Sequence, residues 1–190
     1  MKPLPRSFYR RSTLRVAKAL LGKNLVRVVG GHILAGRIVE TEAYFGQDRA
    51  SHSYRGPTKR SQPMFEEAGH AYVYFVYGNH YCFNVVTEKV GRAGAVLIRA
   101  LEPVSGMRRM VLNRNGIKDK GISNGPGKLC QAFAIDKKFN RADLTGKVLF
   151  ITDGEDCDIK VVRTTRIGIS EAKEKPYRFY IKSNEYVSRK

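Results

Sequence analysis

Long apolar runs, paired cysteines and acidic residues are all scarce in this chain. No stretch approaches the ~18–20 consecutive apolar residues needed to cross a bilayer, and the opening MKPLPRSFYRRS has no apolar segment of the kind a secretory leader carries. A membrane-spanning or secreted protein is therefore not expected. Cys82, Cys130 and Cys157 are widely spaced, form no Cys-x-x-Cys and have no histidine at ligand spacing, which argues against a disulfide framework and a zinc site. They read as reduced, small apolar residues. The acidic deficit is the largest departure from ordinary composition: 17 Asp and Glu stand against 35 Lys and Arg, a net charge of +18. Self-repulsion of that size opposes a compact state, so a polyanion is the natural partner. The basic residues are scattered from Arg6 to Lys190 with no single tail, which suits a folded face touching several phosphates. The plain alternative is a soluble basic protein with no such partner.

What is present fits a globular fold. A chain of 190 residues suits one compact domain, residues 1–190, and 42% hydrophobic with 10% aromatic residues excludes disordered and collagen-like classes. Ser12 is placed to cap a short helix carrying Leu14, Ala17, Leu20 and Leu21, with Gly22 ending it. Strands are expected at 24–29 and 32–42 around the two-residue turn Gly30-Gly31. Residues 45–69 are polar and Gly/Pro-punctuated, with Arg55, Lys59 and Arg60, and read as a long surface loop. Runs 71–77 and 80–87 flank Gly78-Asn79 as a protruding hairpin, followed by a strand at 95–101. Ser105 is expected to cap a helix through Val111, and Asn124 or Gly125 to open another that runs to about Ile135. Further strands are expected at 148–152, 159–162 and 178–181. With no repeat or composition shift, a single α+β domain accounts for the pattern.

Side chains alternate along a strand, so Glu40, Glu42 and Tyr44 share a face, as do Tyr72 and Tyr74, while Val73, Phe75 and Tyr77 share the opposite one. A glutamate beside an aromatic suits activation of water, if a partly buried site tunes it; the alternative is a solvated strand face with a surface ion pair. A tyrosine at the mouth of a tight turn suits a wedge into a base stack, and one further back suits a base pocket; a Tyr-rich core strand is the alternative. Arg99 follows an apolar strand, where it needs an anion: a phosphate, Glu42, or Glu102 in an ordinary buried pair. Ser51-His52-Ser53 lacks a Gly-x-Ser-x-Gly elbow, so a serine nucleophile is not expected. The zinc-deaminase pairing of His-x-Glu with Cys-x-x-Cys is also missing.

GRIVETEAY, His52, Met64-Phe65, YVYFVYG, Cys82 to Asn84, LIRALEP, NGPGKLCQAFAID, RIGI and RFY, in this order and spacing, resemble the alkyladenine (3-methyladenine) DNA glycosylase family over nearly the whole chain. The resemblance implies a mixed domain with an antiparallel, partly barrel-like sheet, flanking helices and a protruding DNA-intercalating β-hairpin. It also implies a monofunctional base-excision-repair hydrolase that flips alkylated or deaminated purines from double-stranded DNA and leaves an abasic site. Carried over by motif position, Glu42 is similar to the water-activating base and Arg99 to a residue near that water and the flipped nucleotide's phosphate. Glu40 is similar to a structural residue. Tyr44, His52 and Tyr74 match the base pocket, Asn84 the position that crowds the 2-amino group of guanine, and Tyr77 the intercalating wedge. A monomer without cofactor or metal follows, located with the nucleoid in a prokaryotic cytoplasm or in a eukaryotic nucleus. Asn79 stands where family members often carry Met, and Ser61 where Asn is frequent, changes that bear on duplex affinity and lesion range. A non-catalytic damaged-DNA-binding module is the main rival. An RNA-binding sheet that stacks bases on Tyr72, Tyr74 and Tyr81 is a second.

Overall fold

The computed structural model describes every residue of the chain except Tyr77, Asp156, Cys157 and Lys190. Among the described residues four short α-helices, α1 (Arg6–Tyr9), α2 (Thr13–Ala19), α3 (Met107–Asn113) and α4 (Pro126–Ala132), flank eight strands. The strands are β1 (Asn24–Val29), β2 (His32–Phe45), β3 (Ala71–Val76), β4 (His80–Val86), β5 (Gly94–Ser105), β6 (Leu149–Thr152), β7 (Val161–Thr164) and β8 (Arg178–Ile181). All the pairings are antiparallel, in the order β3-β4-β5-β2-β1-β6, with β8 joining β2 beyond the end of β1 and β7 joining β8. This is the mixed α/β class with a curled antiparallel sheet. Among the described residues no helix is long and apolar enough to cross a membrane, and no group of three potential metal ligands occurs.

The 14-residue β2 is the spine of the sheet. Its first half pairs with β1 through Gly30-Gly31, both at positive φ (55° and 76°), as a tight turn between right-twisted strands requires. Its second half pairs with β8, so that Glu42 lies opposite Arg178. Along its other edge β2 pairs with β5, and the ladder slips three times, once between Ala35 and Gly36 and twice near its middle, where Ile38 faces Leu101, Glu40 faces Ala100 and Thr41 faces Ile98. Val39 is therefore an extra residue on β2 and Arg99 an extra residue on β5. Bulges of this kind bend a strand and re-aim a side chain.

Alternation then sorts the faces. Thr41 and Ala43 turn toward α2, where Thr41 Oγ1 donates to the Ala17 carbonyl (2.9 Å). Val96, Ile98, Phe83 and Val85 join the same core. Tyr9, Phe83, Phe133 and Phe179 are among its largest fully buried side chains, each worth roughly 1.5–3 kcal/mol of burial. The opposite positions, Glu42, Tyr44, Tyr72, Tyr74, Cys82, Asn84 and Leu97, are free to build something else.

Several expected boundaries move. Ser12 does stand before α2 but makes no side-chain cap; the Glu88 carboxylate accepts from Thr13 N (2.7 Å) and Thr13 Oγ1 (2.9 Å) instead. Ser105 belongs to β5, and Gly106, at φ 82°, precedes α3. Helix α4 stops at Ala132 because Ala134 adopts a left-handed φ of 51°. The 45–69 segment is a long surface loop as expected, but an ordered one: it contains a 3-10 helix (Gln62–Phe65) and buries Asp48, Ser51, Ser53, Ser61 and Met64. The β3–β4 hairpin is present, and only residues 84–86 of β4 pair with β5, so its tip extends past the ladder. The wedge expectation falls on Tyr77, outside the described residues. Cys82 and Cys130 are buried free thiols, and Cys157 lies outside the described residues.

Candidate active site

The site-facing positions of β2, β3, β4 and β5 line a cavity of about 490 Å³. Tyr44, Leu97 and Arg99 form its floor-side wall, Tyr72 and Tyr74 with Cys82 and Asn84 the hairpin side, and His52 the loop side. Residues 167–170 and Pro126 complete the lining. Five of the six residues expected at the catalytic centre and base pocket line one cavity; the sixth, Glu42, lies just behind the wall.

Glu42 has no exposed surface. Its Oε2 accepts from the Tyr44 hydroxyl (2.8 Å) and from Arg99 (3.2 Å), and its Oε1 accepts from the Ile167 backbone N–H (2.8 Å). A carboxylate group offers about four lone-pair sites, so these three donors, among the described residues, leave one acceptor position. Arg99 also lies 3.3 Å from Glu40 Oε1, and both carboxylates are fully covered. Burial works against the charge of Arg99, but Glu42 and Glu40 outweigh it and raise its pKa. Of the two carboxylates expected as its partner, Arg99 meets Glu42, with Glu40 beside it, while Glu102 pairs with Arg37 (3.8 Å) and accepts from Asn184 (2.9 Å). Glu40 is held in turn by Arg178 (2.8 Å) and by Ser188 N–H (2.7 Å).

The aromatic wall is equally constrained. Burial, then the charge and hydrogen bond of Glu42, push the Tyr44 hydroxyl well above its usual range, so it remains a donor. Tyr72 and Tyr74 lie with ring centroids 5.2 Å apart, and His52 meets Tyr74 edge-on at 4.7 Å. His52 Nδ1 pairs with the Tyr72 hydroxyl (2.9 Å). Although the imidazole opens to the cavity, its packed surroundings, and then Arg60, push its pKa down to about 4, which keeps it uncharged near neutrality. Ser51 and Ser53 bond to each other (2.7 Å), which leaves no serine–histidine dyad. Asn84 Nδ2 donates to the Tyr72 carbonyl (3.0 Å), fixing its amide within the wall.

Tyr81 turns to the other face and packs on Phe75 (5.0 Å), while Tyr72 is buried, so the three tyrosines make no exposed stacking platform of the kind an RNA-binding sheet needs. Ser61 is buried and braces its own loop, accepting from Thr58 N (2.9 Å) and donating to the Gly56 carbonyl (3.0 Å). Its difference from the frequent Asn therefore sits in loop architecture. Sequence reasoning missed Tyr72 as the partner of His52, Asp48 altogether, and the role of Arg166. The RIGI motif gave the only trace of Arg166, with nothing to suggest that it would be buried.

The sequence profile of methylpurine-DNA glycosylases matches residues 7–185. A protein of Carboxydothermus hydrogenoformans provisionally named 3-methyladenine DNA glycosylase is 58% identical over 98% of this chain and 99% of its own length. Relatives with the same provisional name from Clostridium botulinum and Desulfitobacterium hafniense are 50% and 47% identical, covering 98% and 99% of this chain and 99% of their own. With a cavity that sets a buried Glu-Arg pair behind aromatic walls, and a match of this extent, the chain belongs to the methylpurine-DNA glycosylase family, hydrolases of N-glycosyl bonds in DNA.

Proposed function

We propose that this chain, acting as one domain over residues 1–190, is a monomeric, monofunctional glycosylase that excises alkylated purines such as 3-methyladenine and 7-methylguanine from duplex DNA. Hypoxanthine and etheno-adenine are further candidates. The observation that carries the reading is the Glu42–Arg99–Tyr44 constellation at the back of an aromatic-walled cavity. The one acceptor position left on Glu42 is the seat for water, admitted at the seam between Tyr44, Arg99 and Ile167. Glu42 takes a proton as the water oxygen bonds to the sugar C1′. The C1′–N bond breaks, its electron pair leaves with the purine, and an abasic site remains in an intact strand. A purine already carrying positive charge departs as a neutral base, so the enzyme need only supply water and selection. A neutral purine also needs a proton, which makes it the slower class. No lysine is among the described residues lining the cavity, which favours hydrolysis over a Schiff base.

In this reading the flipped base stacks on Tyr44 on one side and on His52 and Tyr74 on the other. An uncharged His52 spares a cationic ring electrostatic repulsion, and electron-rich aromatic faces attract it. Asn84, tied to the Tyr72 carbonyl, cannot easily swing away and penalises the 2-amino group of guanine. Tyr77 fills the gap that the base vacates. Exposed Arg49, Arg55, Lys59 and Arg60 in the 45–69 segment lie on the loop that carries His52 and meet the phosphates.

The test is release of free 3-methyladenine from alkylated duplex, and of hypoxanthine from inosine-containing duplex, under single-turnover conditions. Wild type is expected to release base, and Glu42→Gln to bind the same duplex while releasing almost none. Equal release by the two proteins would remove Glu42 from the water-activating role.

A further inference from the structure

Arg166 and Asp48 form an ion pair with no exposed side-chain surface on either partner. The contact is two-pronged: one guanidinium nitrogen meets Asp48 Oδ2, and the other meets Oδ1 at 2.9 Å. Burying two charges costs about as much as their attraction returns, so fold stability alone is a weak reason to keep such a pair. Its contacts converge on the cavity.

The first guanidinium nitrogen also donates to the Ala43 carbonyl (3.0 Å), in the residue between Glu42 and Tyr44. The guanidinium carbon stands 4.7 Å from the Tyr44 ring centroid and 5.3 Å from that of Tyr177. Tyr44 lines the cavity and Arg166 does not, so the cation backs the ring from outside. Asp48 closes the turn leading to His52: its carbonyl accepts from Ser51 N (2.8 Å) and its carboxylate from Ala50 N (3.2 Å). Ile167, the residue after Arg166, donates its N–H to Glu42 (2.8 Å). One planar cation thus ties together the strand that carries Glu42, the ring that walls the cavity, the turn that presents His52, and the backbone donor to Glu42.

We propose that Arg166, seated by Asp48, is a positioning residue for base release. It acts through Glu42 and Tyr44 and touches neither base nor water. The inference rests on Glu42 being the water-activating group. A lysine can carry the charge but cannot reach Asp48, the Ala43 carbonyl and the Tyr44 face together, because it lacks the planar fork.

The experiment compares wild type, Arg166→Lys, Arg166→Met and Asp48→Asn in single-turnover release of 3-methyladenine from alkylated duplex, over a range of enzyme concentrations. Melting curves confirm that each rate is taken well below the unfolding midpoint. Misplacing a catalytic group by an ångström can cost about 100-fold. The maximal rate constant is accordingly expected to fall about 100-fold in Arg166→Met and less in Arg166→Lys, with the half-saturating enzyme concentration unchanged. Asp48→Asn is expected to lose rate as well, and its loss should not multiply with that of Arg166→Lys in the double variant. If Arg166→Met does not fold, the two milder variants carry the test. Wild-type maximal rates in folded Arg166→Lys and Asp48→Asn, or losses that appear only in the half-saturating concentration, would reduce the pair to scaffold and overturn the inference. Failure of the underlying reading looks different: Glu42→Gln, measured alongside, would then release base as fast as wild type.

Discussion

Replacing Glu40 by glutamine changes one atom and removes one charge, yet it should be among the most damaging substitutions in the chain. Glu40 has no exposed surface and meets two cations, Arg178 at 2.8 Å and Arg99 at 3.3 Å, as well as the Ser188 N–H at 2.7 Å. At an effective dielectric constant of about 20, charges at these separations attract by roughly 6 and 5 kcal/mol. Desolvation offsets most of that gain, but breaking such a pair from one side typically costs about 3–5 kcal/mol, because the surviving charge stays buried. The glutamine amide would also point a donor at donors. In a domain of this size each kcal/mol moves the melting midpoint by about 2–4 °C, so Glu40→Gln should melt about 6–20 °C below wild type. Calorimetry or far-ultraviolet dichroism reads this directly. A cooperative transition shifted by less than about 2 °C would mean that water screens these charges as it does on a surface, and the buried-network argument would fail.

Two more perturbations test other parts of the structure. Glu88→Ala removes the carboxylate that accepts from both Thr13 N and Thr13 Oγ1 at the start of α2; a lost cap costs about 0.5–2 kcal/mol, so chemical denaturation should show that loss, whereas Ser12→Ala should stay within about 0.5 kcal/mol of wild type. His52 has its pKa lowered from 6.5 to about 4, by burial first and Arg60 second. In that window the unfolded chain binds a proton that the folded imidazole refuses, so stability is lost as pH falls from about 6.5 toward about 4 and is unaffected above it. His52→Gln should flatten that section of the midpoint-against-pH curve, and parallel curves for the two proteins would contradict the assigned shift.

Period-two alternation carried most of the site. It put Glu40, Glu42 and Tyr44 on one face and Tyr72 with Tyr74 on another, and the folded sheet aims both sets at one region. Local pattern could not reveal partnerships across long separations. Asp48 and Arg166 lie 118 residues apart, each in a polar-looking stretch. Arg99 had two candidate carboxylates, and only the β2–β5 register selects between them by placing Arg37 opposite Glu102 and Leu97 opposite Glu42. The helix at 126–132 begins after Gly125 as expected, but the serine caps failed for a related reason. Ser12 and Ser105 both suit a cap by identity, but the first helix is capped by Glu88 from a distant loop and the second follows a glycine at φ 82°. The segment 45–69 looked solvated because it is polar, yet its small hydroxyl groups satisfy one another inside, as Ser51 does with Ser53.

The two offset bulges restrict how this sequence can change length. Because Val39 is the spare residue on β2 and Arg99 the spare on β5, pairing resumes beyond them in the register it had before. Deleting Val39 alone would slide one end of β2 by a step against β5, and a one-step slip turns every side chain on the displaced segment to the wrong face. Deleting Arg99 alone does the converse. Removing both would restore the ladder but take away the cation beside Glu42. Insertions and deletions should therefore collect in the connecting loops, while the residue count between Gly36 and Tyr44, and between Ala95 and Pro103, stays locked together.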